Sequence, residues 1–154
     1  MSESAFLADR LARASIEGTW VGTPLVSTFA DLSATEAAAY PIANAHSIHE
    51  IVAHVAAWYE AVQQRLLGKH AEPEGDTDWP PVTDTSESAW KATQARLHEQ
   101  RAHLVTTIRT LDADALSALV PGKSFPVRAM LYGIIEHDHY HVGQIVMLRK
   151  LLRP

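Results

Sequence analysis

Cysteine is absent from the 154 residues of the chain. Disulfides, thiolate metal sites and cysteine nucleophiles are therefore excluded. No apolar run reaches the roughly 20 residues that a membrane-spanning helix needs. The first ten residues, MSESAFLADR, lack the pattern of a signal peptide. From these absences we expect a cytoplasmic protein with no membrane partner.

Blocks of positive charge are also absent. The formal net charge is −5, and the one short basic stretch, LRKLLRP, lies at the end of the chain. Such a stretch is typical of a helix C-terminus, where cations interact favourably with the helix dipole. Proteins that bind nucleic acid through its phosphates usually carry a basic patch, so we expect no nucleic-acid partner. The chain also contains no glycine-rich phosphate loop, no GxSxG and no HExxH motif.

Apolar residues recur with the helical period of 3.6 instead of alternating as they would in strands. Long helices are predicted over residues 47–68, 86–111 and 126–152, with a shorter first helix over 4–18. The length and the hydrophobic content of 47% suit one domain spanning residues 1–154. We therefore predict an all-α protein, a four-helix bundle.

Several boundaries carry capping signals. Ser47 and Glu50 have the spacing of a capping box, and Gly68 is a suitable C-terminal stop. Thr23 and Pro24 are a suitable N-cap and first helical residue, so another helix is predicted to begin there.

A long loop, GKHAEPEGDTDWPPVTDTSES, separates the second and third long helical patterns. An extended loop of about 18 residues can span about 60 Å, whereas a 20-residue helix is about 30 Å long. The loop can therefore return along the whole bundle, so the helices that it joins can run parallel. It contains Trp79 beside Pro80 and Pro81. We expect this indole to dock against the bundle, near the mouth of any site there.

Histidine is unusually frequent: the chain has nine. Three of them lie in IIEHDHYHVGQI, where His137 and His141 are four residues apart and so share one helix face. Two imidazoles at this spacing can bind one metal ion. An HxxxH pair alone is a weak signal, since nine histidines make chance pairs common. His139 points to another face.

A third histidine has a similar setting in the second long helix. His54 lies between Ile51 and Trp58 on an apolar stripe, as His141 interrupts an apolar stripe in the last helix. Neighbouring bundle helices would bring these histidines together, and three histidines with one open position are a usual form of catalytic metal centre. Alternatively, His54 is a core histidine bonded to a backbone carbonyl or a neighbouring side chain. The other histidines are predicted to face solvent: His46, His49, His70, His98, His103 and His139.

Imidazoles bind metal only when neutral, and their reference pKa is about 6.5. From the sequence alone, metal binding should weaken as the pH falls through roughly 6 to 5.

The segments HSIHEIVAHVAAW and IIEHDHYHVGQIVMLRK, together with EGTWVGTPL and DWPPV, resemble the DinB/YfiT-like superfamily of four-helix-bundle metalloproteins. The resemblance extends from about residue 4 to residue 152. It implies a divalent metal ion (zinc, nickel, iron or manganese) bound by His54, His137 and His141, with water completing the coordination. It also implies an up-down-down-up bundle and a homodimer.

The resemblance leaves the reaction open, because some members look like transferases that use low-molecular-weight thiols and many have no assigned reaction. One hypothesis is a metal-dependent enzyme that transfers a thiol sulfur or hydrolyses a small-molecule substrate. A second is a non-catalytic metal-binding or stress-response dimer, and a third is a helical interaction domain without metal. Candidate general bases are Asp138, Glu50 and Glu136. Asp138 and Glu136 flank the histidines, and either could bond to a ligand side chain, but we expect both to be exposed charges.

Overall fold

Every regular element in the computed structural model, which describes residues 1–153, is helical. The helices are α1 (Glu3–Ala12), α2 (Ala34–Ala37), α3 (Ile48–Leu66), α4 (Glu87–Arg109), α5 (Ala113–Ser117) and α6 (Val127–Leu152). No strand occurs within residues 1–153, where only two isolated β-bridges are found. The prediction of an all-α protein is therefore confirmed.

Local sequence signals explain where the long helices begin. The Ser47 hydroxyl accepts the backbone N–H of Glu50, and the Glu50 carboxylate accepts the N–H of Ser47 at 2.7 Å, so the predicted capping box is present. Ser86 caps α4 by accepting the N–H of Ala89 at 3.2 Å. Gly68 follows α3 with a φ of 79°, which residues with a side chain rarely adopt.

The prediction of a helix that begins at Thr23 and Pro24 is wrong. Only a single 3₁₀ turn, Val26–Thr28, forms there. The N–H of Thr28 and its hydroxyl both bond to the carbonyl of Leu25, at 3.1 and 2.6 Å, and the N–H of Phe29 bonds to Val26, so the backbone follows the 3₁₀ pattern instead of the α-helical one.

The core lies between α1, α3, α4 and α6. Helix α3 packs against α4 and α6, and α1 packs against the same two helices. The largest fully buried side chains include Trp90, Tyr59, Phe29, Leu97, Leu104 and Leu131. The indole of Trp90 also donates to the carbonyl of Leu32 at 3.0 Å, which fixes the segment before α2 against α4. Within residues 1–153, none of the helices has both the length and the apolar character of a membrane span.

A buried polar network joins three of the helical segments. The Tyr59 hydroxyl of α3 donates to Oδ2 of Asp138 on α6 at 2.6 Å. Ser15, in the π-helical turn after α1, lies 3.3 Å from the same oxygen and 3.0 Å from the Tyr59 hydroxyl. Asp138 is 0% exposed, so the expectation of an exposed charge is wrong. Burial raises the pKa of Asp138 to about 7, although the hydrogen bonds from Tyr59 and Ser15 oppose that rise.

Replacing Tyr59 by phenylalanine should destabilise the fold. The buried Asp138 carboxyl would lose its shortest hydrogen bond, at a cost of about 1–3 kcal/mol in the free energy of unfolding. The cost should be larger at pH 8 than at pH 5, because the lost bond stabilises the ionised carboxylate. Urea unfolding at both pH values measures it. Tyr132→Phe, at an exposed position on α6, is the matched control and should change stability by less than about 0.5 kcal/mol. Equal losses in the two variants would contradict this account.

Candidate metal centre

The three histidines singled out from the sequence meet between α3 and α6. Nε2 of His137 lies 3.0 Å from Nε2 of His54 and 3.1 Å from Nε2 of His141. One nitrogen from each ring lies within 4.8 Å of the other two, so the set has the geometry of a possible metal site. The rings therefore converge as their positions on the apolar stripes predict.

Outer hydrogen bonds orient two of the rings. Nδ1 of His54 donates to the backbone carbonyl of Asp78 at 2.7 Å, and Nδ1 of His141 donates to Oε1 of Gln144 at 2.6 Å. A carbonyl oxygen only accepts, so the ring hydrogen of each of these histidines resides on Nδ1. Each Nε2 is then left with a bare lone pair directed at the common point. The alternative prediction, that His54 bonds to a backbone carbonyl as a core histidine would, is correct for its Nδ1. That bond leaves Nε2 of His54 free to bind a metal ion.

This donor set fits a divalent metal ion. Tetrahedral zinc with bonds of about 2.0–2.1 Å holds its ligand nitrogens about 3.3 Å apart. The observed separations of 3.0 and 3.1 Å are close to that value. Without a cation, one hydrogen on Nε2 of His137 can bridge to only one of its two neighbours at a time. A divalent cation would satisfy all three lone pairs together.

Burial keeps the three rings neutral. It lowers the pKa of His137 to about 3 and the pKa of His141 to about 4, and it also lowers the pKa of His54. The neighbouring rings of the cluster add to the effect at His137, and His54 adds to it at His141. Neutral imidazole is the form that binds metal, so the site is in a metal-binding protonation state at pH 7.

The long loop covers the cluster with an indole. The ring of Trp79 stacks on His54 with centroids 3.8 Å apart and planes 9° apart. His46 stacks on Trp79 in turn, at 3.6 Å and 4°. The carboxylate of the preceding residue, Asp78, accepts the indole N–H of Trp58 at 2.7 Å and so anchors the loop to α3. The predicted docking of Trp79 near the mouth of the site is confirmed.

Two cavities adjoin the cluster. The first has a volume of about 610 Å³ and is lined by the three histidines together with Trp58, Val62, Arg65, Glu72, Asp78, Trp79, Lys123, Phe125, Met130 and Tyr140, among others. The second, of about 660 Å³, is lined by residues that include Ile42, His46, Ile51, Gln144, Met147 and Leu148. Trp79, Tyr140 and His141 border both cavities. His141 therefore lies where the two mainly apolar cavities meet.

The remaining candidate residues lie elsewhere. His49 is 2% exposed, with Nε2 2.8 Å from the Thr93 hydroxyl, so its predicted exposure to solvent is wrong. Glu50 caps α3 and accepts a hydrogen bond from Tyr40. Glu136 is exposed as expected. Neither these two acids nor Asp138 lines either of the two cavities.

Sequence reasoning missed several residues around the cluster. Gln144 could have been found, because it lies three residues after His141 and such neighbours share a helix face. Asp78 directly precedes the docking tryptophan, but no spacing rule connects it to His54. Arg65 and Lys123 have no local signal at all, because only the packing of distant segments brings them into the first cavity.

Comparison with protein families matches residues 19–145 to the model of the DinB superfamily. The matched segment includes His54, His137 and His141. No curated protein and no solved structure matches the chain.

Acid should release metal from this site at a lower pH than exposed histidines would allow. Protons compete with metal for the same nitrogens, and burial holds the pKa values of His137 and His141 at about 3 and about 4. Bound metal should therefore persist at pH 5.5 and be lost as the pH falls towards about 4. Metal content after dialysis at each pH, measured by mass spectrometry, tests this.

The fold itself must be followed in the same experiment. Since the folded pKa values lie below the unfolded value of about 6.5, protons bind the unfolded chain first, and stability decreases as the pH falls from about 6.5 towards 4. Circular dichroism separates loss of metal from loss of fold. A release midpoint between pH 6 and 6.5 would show that the rings titrate as exposed histidines do.

Removal of the Trp79 ring should loosen the loop. Trp79→Ala should lower the free energy of unfolding by about 1–3 kcal/mol, less than for a fully buried tryptophan, because the ring is only partly buried. It should also hasten proteolysis within residues 70–85. Trp20→Ala is the matched control, since Trp20 is 97% exposed and should contribute little. Similar protease sensitivity in the two variants would show that the stacking does not hold the loop.

Proposed function

The chain belongs to the DinB superfamily, and we propose that it binds a divalent metal ion through His54, His137 and His141 and uses the ion to react with a small-molecule substrate. One observation carries the proposal: the Nε2 atoms of three neutral imidazoles meet at one point beside a cavity of about 610 Å³, and those of His54 and His141 are bare. That volume lies within the range of small-molecule sites. Buried lone pairs without a partner are costly, which favours a ligand over a purely structural role.

The metal would act as a Lewis acid and lower the pKa of a bound thiol or water. The protein's own contribution is orientation and shielding. The Asp78 carbonyl and the Gln144 side chain fix the rings of His54 and His141. Trp79 covers one face of His54 and so limits the access of water.

Between the two reactions considered, we favour thiol S-transfer over hydrolysis. A transfer reaction must hold two organic molecules at the reacting centre, whereas hydrolysis needs one molecule and water. Two cavities of comparable volume both border His141 and Trp79, and could hold a low-molecular-weight thiol and its acceptor. This arrangement supports a two-substrate reaction.

We further infer an up-down-down-up arrangement of α1, α3, α4 and α6. The supporting contacts are His49–Thr93 and Gln63–Thr107 between α3 and α4, Arg65–Met130 and Tyr59–Asp138 between α3 and α6, and Glu3–Arg128 and Ser15–Asp138 near α1 and α6. In the first and third sets the residue numbers rise together, as they do in parallel helices. In the second set one rises while the other falls, as in antiparallel helices.

The metal role is tested by two histidine substitutions on α6. His141→Ala should remove most of the bound metal, because it deletes one of three ligands. His139→Ala should retain the metal, since the His139 ring bonds to Thr19 and the Ile135 carbonyl instead. Metal content and melting temperature, with and without chelator, are measured on protein purified without a histidine tag. Equal loss of metal from both variants would refute the assignment.

Catalysis is tested by turnover. Metal-loaded protein is incubated with a panel of low-molecular-weight thiols paired with electrophilic acceptors, and with ester and amide substrates in the absence of thiol. We expect product only when thiol, acceptor and metal are all present, and no product with His141→Ala. Metal binding without turnover across the panel would favour the non-catalytic metal-binding protein.

A further inference from the structure

The first cavity extends from the histidines along α3. His54, Trp58 and Arg65 all line it. Eleven residues separate His54 from Arg65, which corresponds to three helical turns and a rise of about 16 Å. These positions share one face of α3, so the cavity has a histidine end and an arginine end. The indole of Trp58 lies between them, 5.9 Å from the His137 ring and 5.5 Å from the guanidinium carbon.

Arg65 is a buried cation with hydrogen-bonding capacity to spare. It is 6% exposed. Its Nε donates to the Ala71 carbonyl at 2.8 Å, and Nη2 donates to Glu72 at 3.0 Å. The partner of Nη1 among the described residues is the thioether sulfur of Met130 at 4.0 Å, a weak acceptor. The guanidinium fork is therefore only partly satisfied, although buried donors are normally bonded to oxygen.

The arginine end also carries a surplus of positive charge. Lys123 lines the same cavity, and its ammonium lies 2.6 Å from Oε1 of Glu72. Two cations thus share one carboxylate. The hydrogen bond from Lys123 is the main cause that lowers the pKa of Glu72, so this acid is ionised at pH 7. Glu72 sits where a carboxylate from another molecule would meet the same two cations.

We propose that Arg65 and Lys123 bind the carboxylate of an amphipathic substrate whose reacting end lies at the histidine cluster. A planar guanidinium fork binds a carboxylate or a phosphate in a bidentate manner, and the carboxylate of Glu72 already lies against both cations, so a carboxylate is the group whose fit here is observed. The walls between the two ends are apolar and include Trp58, Val62 and Phe125. They suit a short aliphatic chain or one aromatic ring. This inference rests on the proposed function, because it assigns the histidine end to the reaction.

Arg65 also anchors the loop after α3 through Ala71 and Glu72. This structural role must be distinguished from the binding of a substrate carboxylate. The two roles predict opposite effects of a Glu72 substitution on the binding of an external carboxylate. If the Arg65–Glu72 pair is only an anchor, its loss weakens everything that depends on the loop. If Glu72 occupies the place of a substrate carboxylate, replacing it by glutamine frees both cations and strengthens the binding of an external carboxylate.

The test uses two thiols of equal length, 6-mercaptohexanoate and 6-mercaptohexanamide, titrated into cobalt-loaded protein. Absorption from the thiolate–cobalt bond reports binding at the histidine end for both probes. The metal contribution cancels in the ratio of their affinities, which isolates the carboxylate. Wild type should bind the acid about tenfold or more tightly than the amide, the size expected for a buried charged hydrogen bond.

Four variants complete the experiment. Arg65→Met should bring the ratio of acid to amide affinity close to one, and Arg65→Lys should retain part of the preference for the acid. Glu72→Gln should increase the affinity for the acid. Arg109→Met, the same substitution at an exposed position on α4, should change nothing. A ratio near one in wild type, an unchanged ratio in Arg65→Met or weaker acid binding in Glu72→Gln would overturn the proposal. Melting temperatures check folding, and if Arg65→Met does not fold, the lysine and glutamine variants decide.

Failure of the metal site is distinguishable from failure of the carboxylate site. If no thiolate–cobalt absorption develops, the proposed function is wrong. A second pair, 4-phenylbutyrate and 4-phenylbutyramide, then tests the arginine end by quenching of tryptophan fluorescence without any metal. Preference for the acid that is lost in Arg65→Met would support the carboxylate site alone, and equal binding of acid and amide would refute it.

Discussion

Three neutral imidazoles whose Nε2 atoms meet at one point are the constraint on which the rest of this structure depends. Their Nε2 atoms are 3.0 and 3.1 Å apart around His137, and burial lowers the pKa of each ring, so no additional proton binds near neutral pH and a single ring hydrogen on His137 bridges only one of the two contacts. Such an arrangement is costly in the absence of a ligand. The surrounding structure must therefore hold it in place, and a divalent cation is the group that would relieve it.

Two independent supports hold the cluster. On the cavity side, the loop after α3 supplies the Asp78 carbonyl to His54 and the Trp79 ring that stacks on it. On the opposite side, Asp138 binds Tyr59 and Ser15 and so fixes α6 against α3 and the end of α1. Because His137 and Asp138 are consecutive, this network also sets the position of His137. The loop and the network thus determine the geometry from two sides of one helix.

The two cavities beside the histidines differ in charge. Trp79 lines two mainly apolar cavities of similar volume that both reach His141, and one of these cavities is also lined by the buried Arg65 and by Lys123. A metal ion at the histidines would then face one space with positive charge at its far end and one without. The proposed two-substrate reaction would use this asymmetry to distinguish the two molecules by their charge, which the histidines alone do not do.

The sequence by itself determined the helical class, the capping of α3 by Ser47 and the three histidines that converge, because these depend on local periodicity and spacing. It also indicated that Trp79 would dock, since a large indole in a polar loop favours burial. Local signals were misleading at Pro24, where only a single 3₁₀ turn forms and the Thr28 hydroxyl and N–H both bond to the Leu25 carbonyl. They were also misleading at His49 and Asp138, whose burial depends on partners 44 and 79 residues away in the chain. Only the tertiary structure decided that Asp78 orients His54 and that Arg65 and Lys123 share a cavity with the histidines. The physical reason is that helical periodicity specifies which face a side chain occupies, whereas the packing of distant segments decides what that face meets.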